Sequence, residues 1–272
     1  MSHSTEHNSR PEQSATLFIA ASETDSNLYY ATRFIAPDPF IYLEVKGERL
    51  MVMSDLEVDR ARNQATVDRV LSYSELERRA KSQGVKDPGT IDVIHLVLQD
   101  AGLKDILVPP TFPFLHASRL QEMGYRLRTK RDPFYEQRVM KSDDEVRHIE
   151  AAQRATETAV AAAHQHLRRA EIRDNVLWLD GEILTSERVK KLINVALMEC
   201  DCVAQHTIVA GGEQACDPHD EGSGPLPAHR SIIFDVFPRS AETRYFADMS
   251  RTVVRGTPSP ELTRLYHAVK DA

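Results

Sequence analysis

Two strand-like apolar runs, each carrying one aspartate, constrain this chain more than any other feature. The runs are "SIIFDVFP" (231–238) and "RYFADMSRTVVRG" (244–256), joined by a polar turn at about 238–243. This pattern predicts an antiparallel hairpin, and cross-strand neighbours on one face of a hairpin have Cβ atoms about 5 Å apart. Asp235 and Asp248 would then lie side by side, where two carboxylates repel each other.

The expected repulsion can be resolved in two ways. A divalent cation between the carboxylates removes it, because hard oxygen ligands suit Mn²⁺, Co²⁺, Zn²⁺ or Mg²⁺. In the other reading, one aspartate is a turn residue and the other pairs with Arg251 or Arg244. The spacing alone leaves both readings open.

Composition limits the class of protein. The chain has 272 residues, which favours two domains. Its net charge of −7 argues against a nucleic-acid partner, which requires a basic face. No apolar run approaches the roughly 18 to 20 residues of a membrane span. The three cysteines suggest no disulfide framework, so the expected compartment is the cytoplasm.

The first half alternates strand-like and helix-like segments, which predicts a sheet layered with helices over residues 16–135. The polar residues 1–15 are expected to form a flexible tail. A hairpin is predicted at 40–53 around Lys46-Gly47. A helix over 90–103, ended by Gly102, precedes a short strand at 105–110. The segment 113–129 is predicted to form a helix, a stop at Gly124 and another strand.

A second domain is predicted over 140–272. Ser142 and Glu145 form a capping-box pattern that opens a long helix of about 143–168. A second helix is expected at 186–200, and a third opens at Ser259-Pro260. The segment 173–183 reads as a connector. Histidines on the helical segments, His164 among them, are expected to be solvated.

An ordered set of motifs extends over about 65 residues of this second half. A small-residue loop ends in Pro-His at His219, and an apolar strand ends in Asp235. The motif Tyr-x-x-Asp-x-x-Arg-Thr and a Val-x-Gly-x-Pro-Ser-x-Glu turn follow. In this order the motifs resemble the core of the M24 metallopeptidase (pita-bread) family, which contains aminopeptidase P, prolidase and creatinase. Residues 140–272 resemble the N-terminal part of its catalytic domain, and residues 16–135 resemble the creatinase-like N-terminal domain.

The resemblance implies an α/β (α+β) fold and hydrolysis of an N-terminal peptide bond, with Xaa-Pro as the expected substrate. The reaction would use a hydroxide activated by two divalent metal ions (Mn, Co or Zn). Asp235 would chelate one metal and Asp248 would bridge both. His219 would act on the scissile carbonyl as the catalytic hydrogen-bond donor, and Arg251 and Thr252 would orient the ligands. The implied partners are a peptide substrate and, as one option, a second copy in a homodimer; no nucleic acid or membrane is implied.

One departure from the family pattern is serious. The family completes its site with a histidine and two glutamates from strands well beyond the second aspartate, whereas only residues 249–272 follow Asp248. We therefore expect an incomplete pita-bread domain that binds metal partially or not at all. Two alternatives stay open. One is a catalytically inactive module that binds peptides or partner proteins, and the other is a creatinase-like C–N hydrolase.

Overall fold

The computed structural model describes residues 14–272 and divides into two compact units, up to Met140 and Lys141–Ala272. The tail predicted at 1–15 lies outside the described residues, except for Ser14 and Ala15, which open the first strand. No helix within residues 14–272 is long and apolar enough to cross a membrane.

The first unit is built on one six-stranded sheet. Strand β2 runs antiparallel to its neighbours β1 and β3, and the remaining pairs are parallel. The spatial order is β4-β3-β2-β1-β5-β6 for the strands β1 (Ser14–Ala20), β2 (Phe40–Val45), β3 (Glu48–Met53), β4 (Arg69–Ser72), β5 (Asp105–Val108) and β6 (Arg126–Thr129). The predicted hairpin at 40–53 is confirmed. Its turn places Lys46 and Gly47 at positive φ (52° and 85°), as a tight hairpin turn requires.

The predicted layering of the sheet with helices is confirmed, and the helices cover both of its faces. They are α1 (Ser26–Thr32), α2 (Val58–Gln64), α3 (Tyr73–Ser82), α4 (Thr90–Ala101) and α5 (Phe114–Glu122). Neighbouring residues of β1 point to opposite faces of the sheet. Leu17 packs in a hydrophobic cluster with α4, whereas Phe18 packs in another cluster with α1 and Phe134. Gly102 ends α4 at a φ of 69°, in the left-handed conformation that glycine adopts easily.

The second unit begins with the predicted capping box. Ser142 Oγ accepts from the Glu145 amide, and Glu145 Oε2 accepts from the Ser142 amide at 2.9 Å. The helices of this unit are α6 (Asp143–Arg169), α7 (Ser186–Met198) and α8 (Pro260–Asp271). Alanines at the buried face of α6 pack with α7 and with the apolar face of the sheet that carries the aspartates.

The strands of the second unit form three small sheets. They are β7 (Glu171–Arg173), β8 (Val176–Leu179) and β9 (Glu182–Ile183); β10 (Cys202–Val203) with β13 (Arg239–Ser240); and β11 (Ile208–Gly211), β12 (Ser231–Val236) and β14 (Met249–Val254) in the order β11-β12-β14. The interpretation of 173–183 as a connector is wrong. Leu177 and Leu179 are buried and draw these short strands onto the core, so the segment forms an antiparallel sheet instead.

Candidate metal centre

The strand pairing puts Asp235 and Asp248 on one face of the sheet. Asp235 lies opposite Ser250, and Val236 lies opposite Met249. The same register continues beyond the ladder, because the Ala247 amide donates to the Pro238 carbonyl at 3.0 Å. Asp248 therefore lies opposite Phe237. Side chains alternate between faces along a strand, so Asp235, Ser250 and Asp248 share a face.

The two aspartates are diagonal neighbours and not direct cross-strand partners. Diagonal positions in an antiparallel pair are about 7–8 Å apart at Cα, with the Cβ atoms somewhat closer. The opposite face of β12 carries the buried Ile232, Phe234 and Val236. The core contacts of these apolar residues fix which face Asp235 occupies, since a slip of one residue would bury the carboxylate.

The electrostatics show that the two carboxylates interact. Loss of hydration raises the pKa of Asp248 above its ordinary value, and the negative charge of Asp235 raises it further. Asp235 itself accepts a hydrogen bond of 2.6 Å from Ser250 Oγ. The arrangement is a pair of like charges that a cation between them would stabilise.

His219 lies on a loop that follows a 3-10 turn, Gly212–Cys216. Its amide donates to Asp217 Oδ1 at 2.9 Å, and its side chain is exposed. Two residues further, the Glu221 carbonyl accepts from the Val209 amide at 3.1 Å, which places the loop along the outer edge of β11. Within residues 14–272, no hydrogen bond joins the His219 side chain to either aspartate. The loop therefore lies along the edge of the sheet that carries the aspartates. Strand β11 lies between this loop and the strand of Asp235.

Arg251 and Thr252 occupy opposite faces of β14. Thr252 is exposed on the face of Asp235, whereas Arg251 lies across from Phe234 and donates to the Ser250 carbonyl at 2.7 Å. Their role in orienting the ligands stays a prediction.

The sequence-based prediction missed Ser250 and placed His164 wrongly. Ser250 could have been found, because strand alternation puts the residue two places after Asp248 on the same face. The expectation that His164 is solvated is wrong. Its ring packs edge-to-face on Phe234 with centroids 5.4 Å apart, and burial lowers its pKa.

The donor chemistry of the two aspartates fits a divalent cation, because carboxylate oxygens are the hard ligands that such ions prefer. Two aspartates alone, however, provide only two side chains to bind such a cation. Across the part of the chain that the structure describes, no group of three or more histidine, cysteine, aspartate or glutamate side chains is arranged to hold a metal. Asp235 and Asp248 can supply two carboxylate ligands, and the described residues place no third ligand beside them.

The fold is that of peptidases built from a creatinase-like domain and a pita-bread domain. An X-Pro aminopeptidase from Thermotoga maritima superposes with a TM-score of 0.74 at 19% identity, covering 95% of this chain and 67% of that one. A prolidase from Pyrococcus furiosus gives a TM-score of 0.69 at 15% identity over 94% of this chain and 66% of that one. A Xaa-Pro dipeptidase from Bacillus anthracis gives 0.74 at 15% identity, over 93% and 63% of the two chains.

The second unit is similar in sequence to a known family. Residues 147–272 match metallopeptidase family M24. An uncharacterized peptidase from Staphylococcus saprophyticus is 24% identical over an alignment of 258 positions that covers 92% of this chain. The chain spans 65% of the length of that relative. The matched segment contains His219, Asp235 and Asp248.

Proposed function

We propose that this protein is a metal-dependent peptidase that hydrolyses the N-terminal peptide bond, with Xaa-Pro peptides as substrates. The observation that carries the proposal is the pair Asp235 and Asp248, diagonal neighbours on one face of a sheet inside a segment that matches metallopeptidase family M24. The Xaa-Pro preference is supported by the similarity in fold to an X-Pro aminopeptidase and a Xaa-Pro dipeptidase.

In this proposal Asp235 and Asp248 are ligands of two divalent ions, Mn²⁺, Co²⁺ or Zn²⁺, and the remaining ligands lie outside the described residues. When bound, the metals supply Lewis-acid activation of the scissile carbonyl and of water. The Ser250 hydroxyl fixes one oxygen of Asp235, which sets the direction of its other oxygen. The exposed imidazole of His219 donates a hydrogen bond to the carbonyl oxygen as it gains negative charge.

The test uses the protein purified intact from its own cells. Mn²⁺ binding is measured by isothermal titration calorimetry, and hydrolysis of an N-terminal Xaa-Pro peptide is followed by mass spectrometry. We expect Asp248→Asn to abolish hydrolysis and weaken Mn²⁺ binding, because an amide is a poorer ligand than a carboxylate. The matched control is Asp271→Asn, on the exposed surface of α8. Hydrolysis by Asp248→Asn at the wild-type rate would refute the assignment.

A second function is favoured by one observation: the described residues bring together no third metal-ligating side chain at the aspartate pair. The protein would then be an inactive pita-bread module that binds peptides or partner proteins. In the same titration this module would bind the Xaa-Pro peptide without cleaving it, and no stoichiometric Mn²⁺ would bind. A peptide partner and a cytoplasmic location belong to both proposals, and a homodimer is compatible with both.

A further inference from the structure

Tyr245 connects the hairpin of the two aspartates to the start of α6. Its hydroxyl donates to Glu145 Oε1 at 2.6 Å, across 100 residues of sequence. The other carboxylate oxygen of Glu145 accepts from the Ser142 amide at 2.9 Å. The ring of His148, one turn along α6, lies 5.5 Å from the Tyr245 ring. One carboxylate therefore serves both the helix cap and the hairpin.

The burial of Glu145 indicates more than helix capping. A capping glutamate in the first turn of a helix is normally solvated, as the adjacent Asp143, Asp144 and Val146 are in this helix. Glu145 is only 6% exposed. Burial of a carboxylate is costly unless hydrogen bonds satisfy it, and the Tyr245 hydroxyl supplies one of those bonds.

The segment that carries Asp248 is bonded to the incoming strand of the hairpin, but among the described residues no strand pairs with its outer side. The incoming strand of the hairpin is held by β10, since Cys202 pairs with Ser240 and the Ala241 amide donates to the Asp201 carbonyl at 2.8 Å. The outgoing strand lies at the edge of the described sheet, where β14 pairs with β12 alone. Asp248 follows Tyr245 by three residues on this outer strand.

We propose that Tyr245 is a positioning residue: through the buried Glu145 it fixes the outer strand of the hairpin and so holds Asp248 beside Asp235. The inference rests on the proposed metal site for its effect on metal binding. Its effect on the strand itself is independent of any metal. The hydrogen bond from Tyr245 to Glu145 sets the separation of the Asp235 and Asp248 carboxylates. A cation bound by both carboxylates requires that separation.

The test compares Tyr245→Phe, which removes only the hydroxyl, with the control Tyr266→Phe on the exposed face of α8. Amide hydrogen exchange in the metal-free protein reports on the strand. We expect exchange at Ala247, whose amide bonds to Pro238, to accelerate about tenfold in Tyr245→Phe, as local opening becomes easier. Exchange at the core residue Phe234 should stay unchanged. The Kd for Mn²⁺ should rise about tenfold, the lower end of the effect of groups that orient metal ligands.

Glu145→Ala, with Glu150→Gln as its control on the exposed side of α6, closes a double-mutant cycle. The variant lacking both groups should weaken Mn²⁺ binding no more than Glu145→Ala alone, because without the Glu145 carboxylate the Tyr245 hydroxyl has lost the partner through which it acts. A merely structural role would accelerate exchange at Ala247 and Phe234 equally and leave the Kd unchanged, and that result would overturn the proposal. A wild-type protein that binds no Mn²⁺ would overturn the proposed function, and the exchange rates would still decide the role of Tyr245.

Discussion

Gly222 is the position in the His219 loop where adding a single methyl group should destabilise the protein most. Its φ is 76°, and a Cβ added there would lie 1.9 Å from the Val209 carbonyl oxygen and 2.8 Å from Ala210 Cα. Val209 is in the middle of β11, directly beside the strand of Asp235. The loop can therefore accept Gly222→Ala only by moving away from β11.

The cost of Gly222→Ala combines backbone strain with the hydrogen bonds that this movement breaks. A left-handed backbone costs a non-glycine residue about 1–2 kcal/mol. Retreat of the loop also breaks the bond from the Val209 amide to the Glu221 carbonyl, worth about 0.5–1.5 kcal/mol. The bond from Lys190 Nζ to the Gly222 carbonyl carries a charged donor and contributes about 1.5–3 kcal/mol. We expect the free energy of unfolding to fall by about 3–6.5 kcal/mol.

The matched control is Gly224→Ala in the same loop. Gly224 has a φ of 71°, but a Cβ there meets nothing within 4 Å, so it incurs the backbone cost alone. Urea unfolding is followed by the fluorescence of Trp178, the single tryptophan, which lies in β8 of the second unit. Equal losses in Gly222→Ala and Gly224→Ala would show that the loop does not press on β11, and the reasoning would fail.

Two further outcomes use the same unfolding assay. Phe234→Ala removes a fully buried ring against which His164 packs, and should cost about 3–5 kcal/mol; a loss below about 1 kcal/mol would contradict the assigned core face of β12. The amide of Gly224, which donates to Glu187 Oε1, lowers the pKa of Glu187 below its ordinary 4.5. This contribution is present above pH 4.5 and is lost as the pH falls through the lowered pKa. Glu187→Gln should therefore flatten the loss of stability on acidification, and an unchanged pH profile would exclude the contact.

The elements with local sequence signals were predictable. The capping pattern of Ser142 marked the start of α6, and Ser259 before Pro260 marked α8, where Ser259 Oγ accepts from the Leu262 amide. The Lys46-Gly47 turn marked the hairpin of the first unit. These features depend on residues within a few positions of one another, so the chain itself carries the information.

The features that depend on distant partners were not predictable. The segment 173–183 has only one short apolar run, Val176–Leu179, between polar turn residues, and packing of Leu177 and Leu179 in the core makes it part of a sheet. His164 has an ordinary place on α6 until β12 brings Phe234 against it. Glu145 has the pattern of a local cap, and its bond to Tyr245 exists only because the hairpin folds back over the helix.

From the sequence alone it follows that each of two strand-like apolar runs carries one aspartate, in an order that resembles the M24 metallopeptidase family. How the two carboxylates lie relative to each other follows only from the folded sheet, where the register that pairs Asp235 with Ser250 makes them diagonal neighbours on one face. Strand register depends on which side chains can be buried together. Ile232, Phe234 and Val236 enter a core shared with α6 and α7, and their burial leaves both carboxylates on the opposite face.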